Sequence, residues 1–343
     1  MTAIHEAFNL GQSIWLDYID RSMIAGGLQK WIDKGVVGVT TNPSIFENAI
    51  AKKTDYDAEI KSMAKAGKTS AEIYEVLTVQ EVGAAADILR PVYDKTGGKD
   101  GFVSLEVNPL IASDKETTIS EAKRLFALLN RPNVMIKIPA TPEGIEALTE
   151  VIAANVNVNS TLIFSIDQYV NVAKAYIEGV KRGGKAQSVA SAFVSRVEAA
   201  VDKELDAKGN SELKGKIAVD GIKLMYQEFK KLFAGMELRQ RPLWASTGTK
   251  SKGYSDVKYV EELIGPDTVN TVPPATLEAF VDHGKAALTL ENDVARAEED
   301  LKALKAAGVD LAAVNAKLLA DGLAAFNKSF ESLMAAIESK AKA

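Results

Sequence analysis

The sequence predicts an α/β fold of the (β/α)8 (TIM) barrel type with additional helices, and three observations carry that expectation. Eight short runs rich in β-branched and other apolar residues recur along the chain. Stretches with helical periodicity separate them, which is the alternation of βα units around a parallel sheet. The 343 residues exceed the roughly 250 that such a barrel typically needs and leave room for insertions.

The runs are, in order, SIWLDYI (13–19), VVGVTT (36–41), FVSLEV (102–107), NVMIKIP (133–139), NVNVNSTLIF (155–164), SVASAF (188–193), PLWAS (242–246) and DTVNTV (267–272). From Pro43 to Gly101 the chain is too long for one crossover, so several helices are expected there, covering part of the barrel mouth. Thr118 with Glu121, ahead of ISEAKRLFALLN, and Ser165 with Gln168 read as capping boxes. Thr141 followed by Pro142 suits an N-cap and first helical position, and Gly265 after DVKYVEELI suits a C-cap. Beyond Phe280 no strand is expected. There Leu311, Val314, Leu318, Phe326, Leu333 and Ile337 mark one face of an amphipathic helix starting near Asp310. No repeat or Pro/Gly-rich linker divides the chain, so residues 1–343 read as a single domain with 280–343 as its helical C-terminal extension.

Composition removes several function classes. With 47% hydrophobic residues the chain buries a large core, and a net charge of −5 with interleaved signs gives no basic footprint for nucleic acid. The absence of cysteine excludes disulfides, thiolate catalysis and cysteine-ligated metal, and suits a reducing compartment. MTAIHEAFNLGQSIW lacks the pattern of a signal peptide, and no run approaches the roughly 20 apolar residues of a membrane span. A cytoplasmic protein without a membrane partner is expected. His5 and His283 are too few for a metal triad, and TGTKS (247–251) lacks the glycine that a P-loop sets before its lysine. Trp15, Trp31 and Trp244 read as packing residues, with Trp15 and Trp244 placed to border the mouth.

In a parallel barrel the chemistry gathers where the strands end. Asp17 ends the first run, Asn42 follows the second, and Glu106 and Asn108 stand at the third. Lys137 lies in the fourth, and Asn157, Asn159 and Thr161 in the fifth. Ser191 and Arg196 accompany the sixth, Ser246 and Lys250 the seventh. Lys137 is the anomaly, since PNVMIKIPA (132–140) otherwise reads as a buried strand and an ammonium is rarely buried without a partner. A free lysine is about one part in a thousand neutral at pH 7.4, so a desolvated strand position favours the amine that nucleophilic attack requires. Lysine, a carboxylate pair and several amides suit carbonyl chemistry through a Schiff base, with Asp17 and Glu106 to move protons and cations to hold a phosphate.

These strand ends carry a family resemblance. GVTTNPSIF (38–46), SLEVNP (104–109), VMIKIPATPEGI (134–145), NVNSTLIFS (157–165), SAFVSRV (191–197) and LWASTGTK (243–250) resemble transaldolase in order and spacing, from about Ser13 to His283. The resemblance implies that Lys137 forms the Schiff base with a ketose phosphate donor, fructose 6-phosphate or sedoheptulose 7-phosphate. It implies that Asp17 transfers the proton in carbon–carbon cleavage and that Glu106 with Thr161 positions a water. Asn42, Asn159 and Ser191 would bind the dihydroxyacetone portion, and Arg196 and Ser246 the phosphate. Glyceraldehyde 3-phosphate or erythrose 4-phosphate would accept the unit, in the non-oxidative pentose phosphate pathway. No metal or organic cofactor is implied, and the protein would be a monomer or homodimer with sugar phosphates as its partners.

One departure stands out. Many family members carry arginine two positions after the serine, where this chain has Gly248; Lys250 is the candidate replacement, expected to contribute as much as Arg196, though without the bidentate fork. Two rivals stay open at this point. A fructose-6-phosphate aldolase would release free dihydroxyacetone, and a noncatalytic barrel would bind sugar phosphate or use its C-terminal helix to hold a protein.

Overall fold

All eight expected runs form strands, and in the computed structural model, which describes residues 2–342, they close in chain order into one parallel barrel. The strands are β1 (Gln12–Leu16), β2 (Gly38–Thr40), β3 (Phe102–Glu106), β4 (Val134–Pro139), β5 (Val158–Ile163), β6 (Ser188–Phe193), β7 (Gln240–Ala245) and β8 (Thr268–Val272). Only β6 keeps the bounds read from sequence. β2 shrinks to three residues, and β1 stops at Leu16, leaving Asp17 just past its end. β4, β5 and β6 are buried along their whole length, as expected for strands with side chains in the lumen on one face and helices on the other.

Helix α1 (Ala3–Asn9) precedes the barrel, and α2 (Leu28–Asp33) joins β1 to β2. The long insertion holds α3 (Pro43–Phe46), α4 (Asp57–Lys65) and α5 (Ser70–Lys95). Then come α6 (Lys115–Leu129), α7 (Pro142–Ala153), α8 (Ile166–Lys181), α9 (Ser195–Ala207) and α10 (Ile217–Leu232). The last are α11 (Lys258–Glu261), α12 (Pro274–His283), α13 (Val294–Ala306) and α14 (Leu311–Lys342). No helix among the described residues is long and apolar enough to cross a membrane.

The expected caps hold in part. Thr141 caps α7 by accepting from Gly144 N, with Pro142 in the first turn. Ser165 caps α8 by accepting from Gln168 N, but the Gln168 side chain accepts instead from Phe164 N, so the reciprocal half of the box is displaced by one residue. Thr118 starts no helix. Asp114, four residues earlier, caps α6 through Thr117 N, and a carboxylate is the better acceptor for that terminus. Gly265 is likewise no C-cap, because α11 ends at Glu261; a Cβ at Gly265 would stand 2.6 Å from the Leu290 side chain, so close packing explains it.

The tryptophans are core, not mouth. Trp15 and Trp244 are fully buried, and their indole N–H groups donate to Asp100 Oδ1 at 3.1 Å and to the Leu263 carbonyl at 3.1 Å. Trp15 lies flat on β2, where a Cβ at Gly38 would meet its ring at 2.5 Å, so the strand tolerates no side chain there. The tail folds back. Phe326, Phe330, Leu333 and Ile337 of α14 are buried, and each such side chain contributes roughly 1.5–3 kcal/mol. Asp310 accepts from Ala313 N as the helix begins.

Candidate active site

Strand periodicity aims the polar residues inward. Successive side chains alternate faces, so Ser104 and Glu106 share one face of β3, Met135 and Lys137 one face of β4, and Asn159 and Thr161 one face of β5. The ladder pairs Glu106 with Lys137 and Lys137 with Asn159 at one level of the lumen. The contacts form one chain, joined where Thr41 Oγ1 donates to the Ser104 carbonyl at 2.7 Å. Lys137 Nζ donates to the Thr41 carbonyl at 3.0 Å and stands 3.5 Å from Glu106 Oε2. Asn159 donates to Ser104 Oγ at 3.1 Å and accepts from Ser191 Oγ at 2.6 Å.

Asp17 enters from β1, whose last turn is extended by the bond from Asp17 N to the Val272 carbonyl. Thr40 Oγ1 donates to Asp17 Oδ1 at 2.7 Å and contacts Thr271 Oγ1. Asn42 spends its side-chain oxygen on capping α3 through Ile45 N at 3.0 Å, which leaves its amide N–H groups as the donors it offers a ligand. The β5–β6 register shifts between Ser160 and Ile163, and Leu162 adopts φ of 59° at that break. Such bulges re-aim side chains beside active sites, and a left-handed leucine costs on the order of 1–3 kcal/mol.

Ser246 also takes a left-handed backbone, φ 56°, and its hydroxyl meets Ser195 Oγ at 2.8 Å. The same turn joins the end of β7 to the start of α9, where Arg196 lies with its guanidinium 5.1 Å from the centre of the Phe193 ring. Lys250 is exposed at the rim, whereas Arg196 is half-buried. Gly248, at the position where arginine is absent, has an ordinary backbone with Pro273 and Thr276 closely opposite.

Burial dominates the electrostatics. It pushes the Asp17 carboxyl up from its ordinary range, opposed by the charge of Lys137, the Thr40 hydrogen bond and Arg196. It pushes Glu106 up to about 7, against the pull of Lys137 and with a further push from Asp17. Burial lowers Arg196, against the opposing pull of the Asp17 and Glu106 charges, and burial together with the charge of Arg196 lowers Lys250. Both Glu106 carboxylate oxygens and Thr161 Oγ1 are buried without a hydrogen-bond partner in the protein. At 3.5 Å the Glu106–Lys137 contact lies at the limit of hydrogen-bond distance.

Asp17, Asn42, Lys137, Ser191, Arg196, Ser246 and Lys250 line one cavity of about 400 Å3. Glu106, Asn159 and Thr161 lie below its lining, the first two reaching it through Lys137 and Ser191. Asn157 stands apart: it precedes β5, and its side chain bonds the Pro132 and Val134 carbonyls and Gln187 N, a structural clasp at the opposite end of the strand. Asn108 caps a short turn after β3 through Leu110 N. The lining includes groups that strand-end reading passed over, among them Thr40, Ser44, Asn48, Phe193 and Phe326. The doubled threonine of TTNPS was a signal for the first. Phe326 gave none beyond its place in an amphipathic face. A larger recess of about 930 Å3, lined by Ile217, Met225, Leu311 and Leu319 among others, holds none of the expected site residues. Among the described residues no group of His, Asp and Glu side chains is arranged to hold a metal ion.

Comparison with known proteins agrees with this geometry. A family model described as Transaldolase/Fructose-6-phosphate aldolase matches residues 14–337. The chain is 43% identical to a protein named Transaldolase from Trichodesmium erythraeum, over 98% of this chain and 97% of that one. It is 45% identical to Transaldolase 1 of Streptomyces avermitilis, over 95% and 92%, and 43% identical to Transaldolase 2 of a Nostoc species, over 97% and 96%. With its barrel, its strand-end residues and this similarity along nearly its whole length, the chain belongs to the transaldolase/fructose-6-phosphate aldolase family.

Proposed function

We propose that the protein is a transaldolase that moves a dihydroxyacetone unit from a ketose phosphate to an aldose phosphate through a Schiff base on Lys137. The observation that carries this reading is the Lys137 amine, buried in the lumen between the Thr41 carbonyl and Glu106 and open to a cavity that two cations border. A cavity of about 400 Å3 falls in the range that accommodates small ligands, roughly 300–1,000 Å3.

The chemistry follows from positions. The Lys137 amine adds to the donor ketone carbon, the carbinolamine loses water, and the protonated imine forms. Glu106, titrating near neutrality beside that nitrogen, gives and takes the proton this exchange needs, and with Thr161 it has buried oxygens free to hold the departing water. Asp17 then takes the proton of the hydroxyl on the far carbon of the breaking bond, whose oxygen becomes the aldehyde of the departing sugar. The bond's electrons pass to the iminium, the aldose phosphate leaves, and an enamine remains on Lys137. Addition to the acceptor aldehyde reverses these steps. Ser191 and Asn159, locked together at 2.6 Å, and the Asn42 amide bind the dihydroxyacetone hydroxyls. Arg196, Ser246 and Lys250 hold the phosphate. The reading carries with it a cytoplasmic setting and a monomer or homodimer.

Borohydride reduction in the presence of fructose 6-phosphate tests it. A dihydroxyacetone-sized adduct on the peptide containing Lys137 is expected, and Lys137→Met should fold, because an unbranched apolar chain suits the strand, yet lose transfer. An adduct on another lysine, or an active Lys137→Met protein, refutes the assignment.

A further inference from the structure

The C-terminal helix forms one wall of the reaction cavity. Phe326 of α14 is buried, lines the cavity that Lys137 opens into, and sets its ring centre 5.9 Å from Lys137 Nζ. The helix backbone comes down on the barrel rim at Gly322, where a Cβ would stand 3.1 Å from Leu162 Cδ2 and 3.6 Å from Arg196 Nη1. Farther along, Ser329 bonds Ser44, Ser332 bonds Glu47, and Lys340 pairs with Asp57. The Phe330 ring meets Tyr74 edge-on at 5.3 Å. The helix is thus fastened to the insertion on one side of the mouth and rests on β5 and Arg196 on the other. Its one aromatic ring beside the amine is Phe326.

That placement bears on the fate of the enamine, and the argument rests on the Schiff base at Lys137. Once the aldose phosphate has left, two outcomes compete. In one, the enamine carbon attacks the acceptor aldehyde. In the other, that carbon takes a proton, water adds to the resulting iminium carbon, and the carbon–nitrogen bond breaks to return the Lys137 amine and free dihydroxyacetone. Both outcomes end with water adding to an iminium carbon, but only the second needs a proton delivered to the enamine carbon while no acceptor is bound. A ring with no hydrogen-bonding atom excludes water from the side of the cavity it covers. We infer that Phe326 is a specificity-determining wall residue that favours transfer over hydrolytic release by keeping water from the enamine carbon until an acceptor occupies that side of the cavity.

The test compares full-length variants with fructose 6-phosphate as donor, measuring dihydroxyacetone released without acceptor and transfer to erythrose 4-phosphate. Phe326→Ala should raise the ratio of release to transfer about tenfold, which corresponds to a change of about 1.4 kcal/mol between the two barriers. Phe326→Gln, of similar reach but able to bind water, should raise it as well, while Phe326→Leu, which keeps an apolar wall, should change it less than about threefold. Simple loosening of α14 slows both branches together, so Leu333→Ala, on the same buried helix face but outside the cavity, should leave the ratio unchanged. If the Ala variant does not fold, the Leu and Gln pair decides. An unaltered ratio in both Phe326→Ala and Phe326→Gln, or an equal rise in Leu333→Ala, overturns the inference. Loss of the borohydride adduct from the wild-type protein would instead refute the Schiff base itself.

Discussion

Arg196 and Lys250 both line the cavity, yet the structure predicts unequal losses when each is truncated. Arg196 is half-buried against Phe193, and burial lowers its affinity for the proton, so an incoming phosphate meets a guanidinium already stripped of much of its water. A hydrogen bond to a charged group in such a setting is worth roughly 1.5–3 kcal/mol, or about 10- to 150-fold in kcat/KM. Lys250 stands farther out at the rim, where burial and the nearby Arg196 still lower its affinity for the proton but solvent screens it more and its long side chain must be ordered. Its share is accordingly about 1 kcal/mol or less, near fivefold. Sequence alone put the two cations on the same footing; the exposure of Lys250 separates them. The assay measures kcat/KM with fructose 6-phosphate and with unphosphorylated fructose for Arg196→Ala and Lys250→Ala at low and high salt. Both variants should lose efficiency on the phosphorylated donor alone, Arg196→Ala by at least several times more, and the Lys250 effect should shrink as salt rises. Equal losses on both donors would show that neither residue reads the phosphate, and a larger loss for Lys250→Ala would refute the reasoning from burial.

Three further outcomes follow from the same geometry. Asp17→Asn keeps the Lys137 amine but removes the proton acceptor held by Thr40, so borohydride should still trap an adduct while transfer falls by roughly a hundredfold or more. Imine formation in the unaltered protein should bend near pH 7, where Glu106 changes charge, and stopped-flow measurement on Glu106→Gln should find that bend gone. Away from the site, Glu198 of α9 is buried and pushed up to about 8, chiefly by burial and then by Asp202. A carboxyl raised in the folded state favours folding fully below its unfolded pKa of about 4.3 and loses that contribution as pH rises through the folded value. Glu198→Gln should therefore unfold at higher urea than the unaltered protein at pH 9, by at most about 5 kcal/mol, and the gain should vanish near pH 4.

Strand positions were legible because a central parallel strand is buried on both faces and so reads as an apolar run between turn signals. Bounds were less so. NVNVNSTLIF reads as one unbroken strand, but β5 begins only at Val158 and breaks register at Leu162, since nothing in the apolar pattern distinguishes a residue that continues the ladder from one that bulges. Thr118 misled for a related reason. A threonine three residues before a glutamate satisfies the capping pattern, but Asp114 offered the α6 amides a charged acceptor first.

The same distinction explains the site. Lys137 and Glu106 were recognisable because a charge in an apolar run contradicts its surroundings, and the ladder that makes the run buried is what brings the two to the same level. Asn157 has the same chemistry as Asn159, two residues away on the same alternation, yet it closes the bottom of the barrel while Asn159 meets Ser191 higher in the lumen. Periodicity gives the face a residue occupies; depth along the barrel depends on strand stagger, which only the closed sheet defines. Phe326 is the complementary case. Its spacing with Phe330 and Leu333 marks an apolar face that must be buried, but what lies beneath that face is fixed by the fold-back of α14 across the mouth. A phenylalanine that covers a reactive amine and one that fills a core leave the same trace in a sequence, because both are placed by the removal of apolar surface from water.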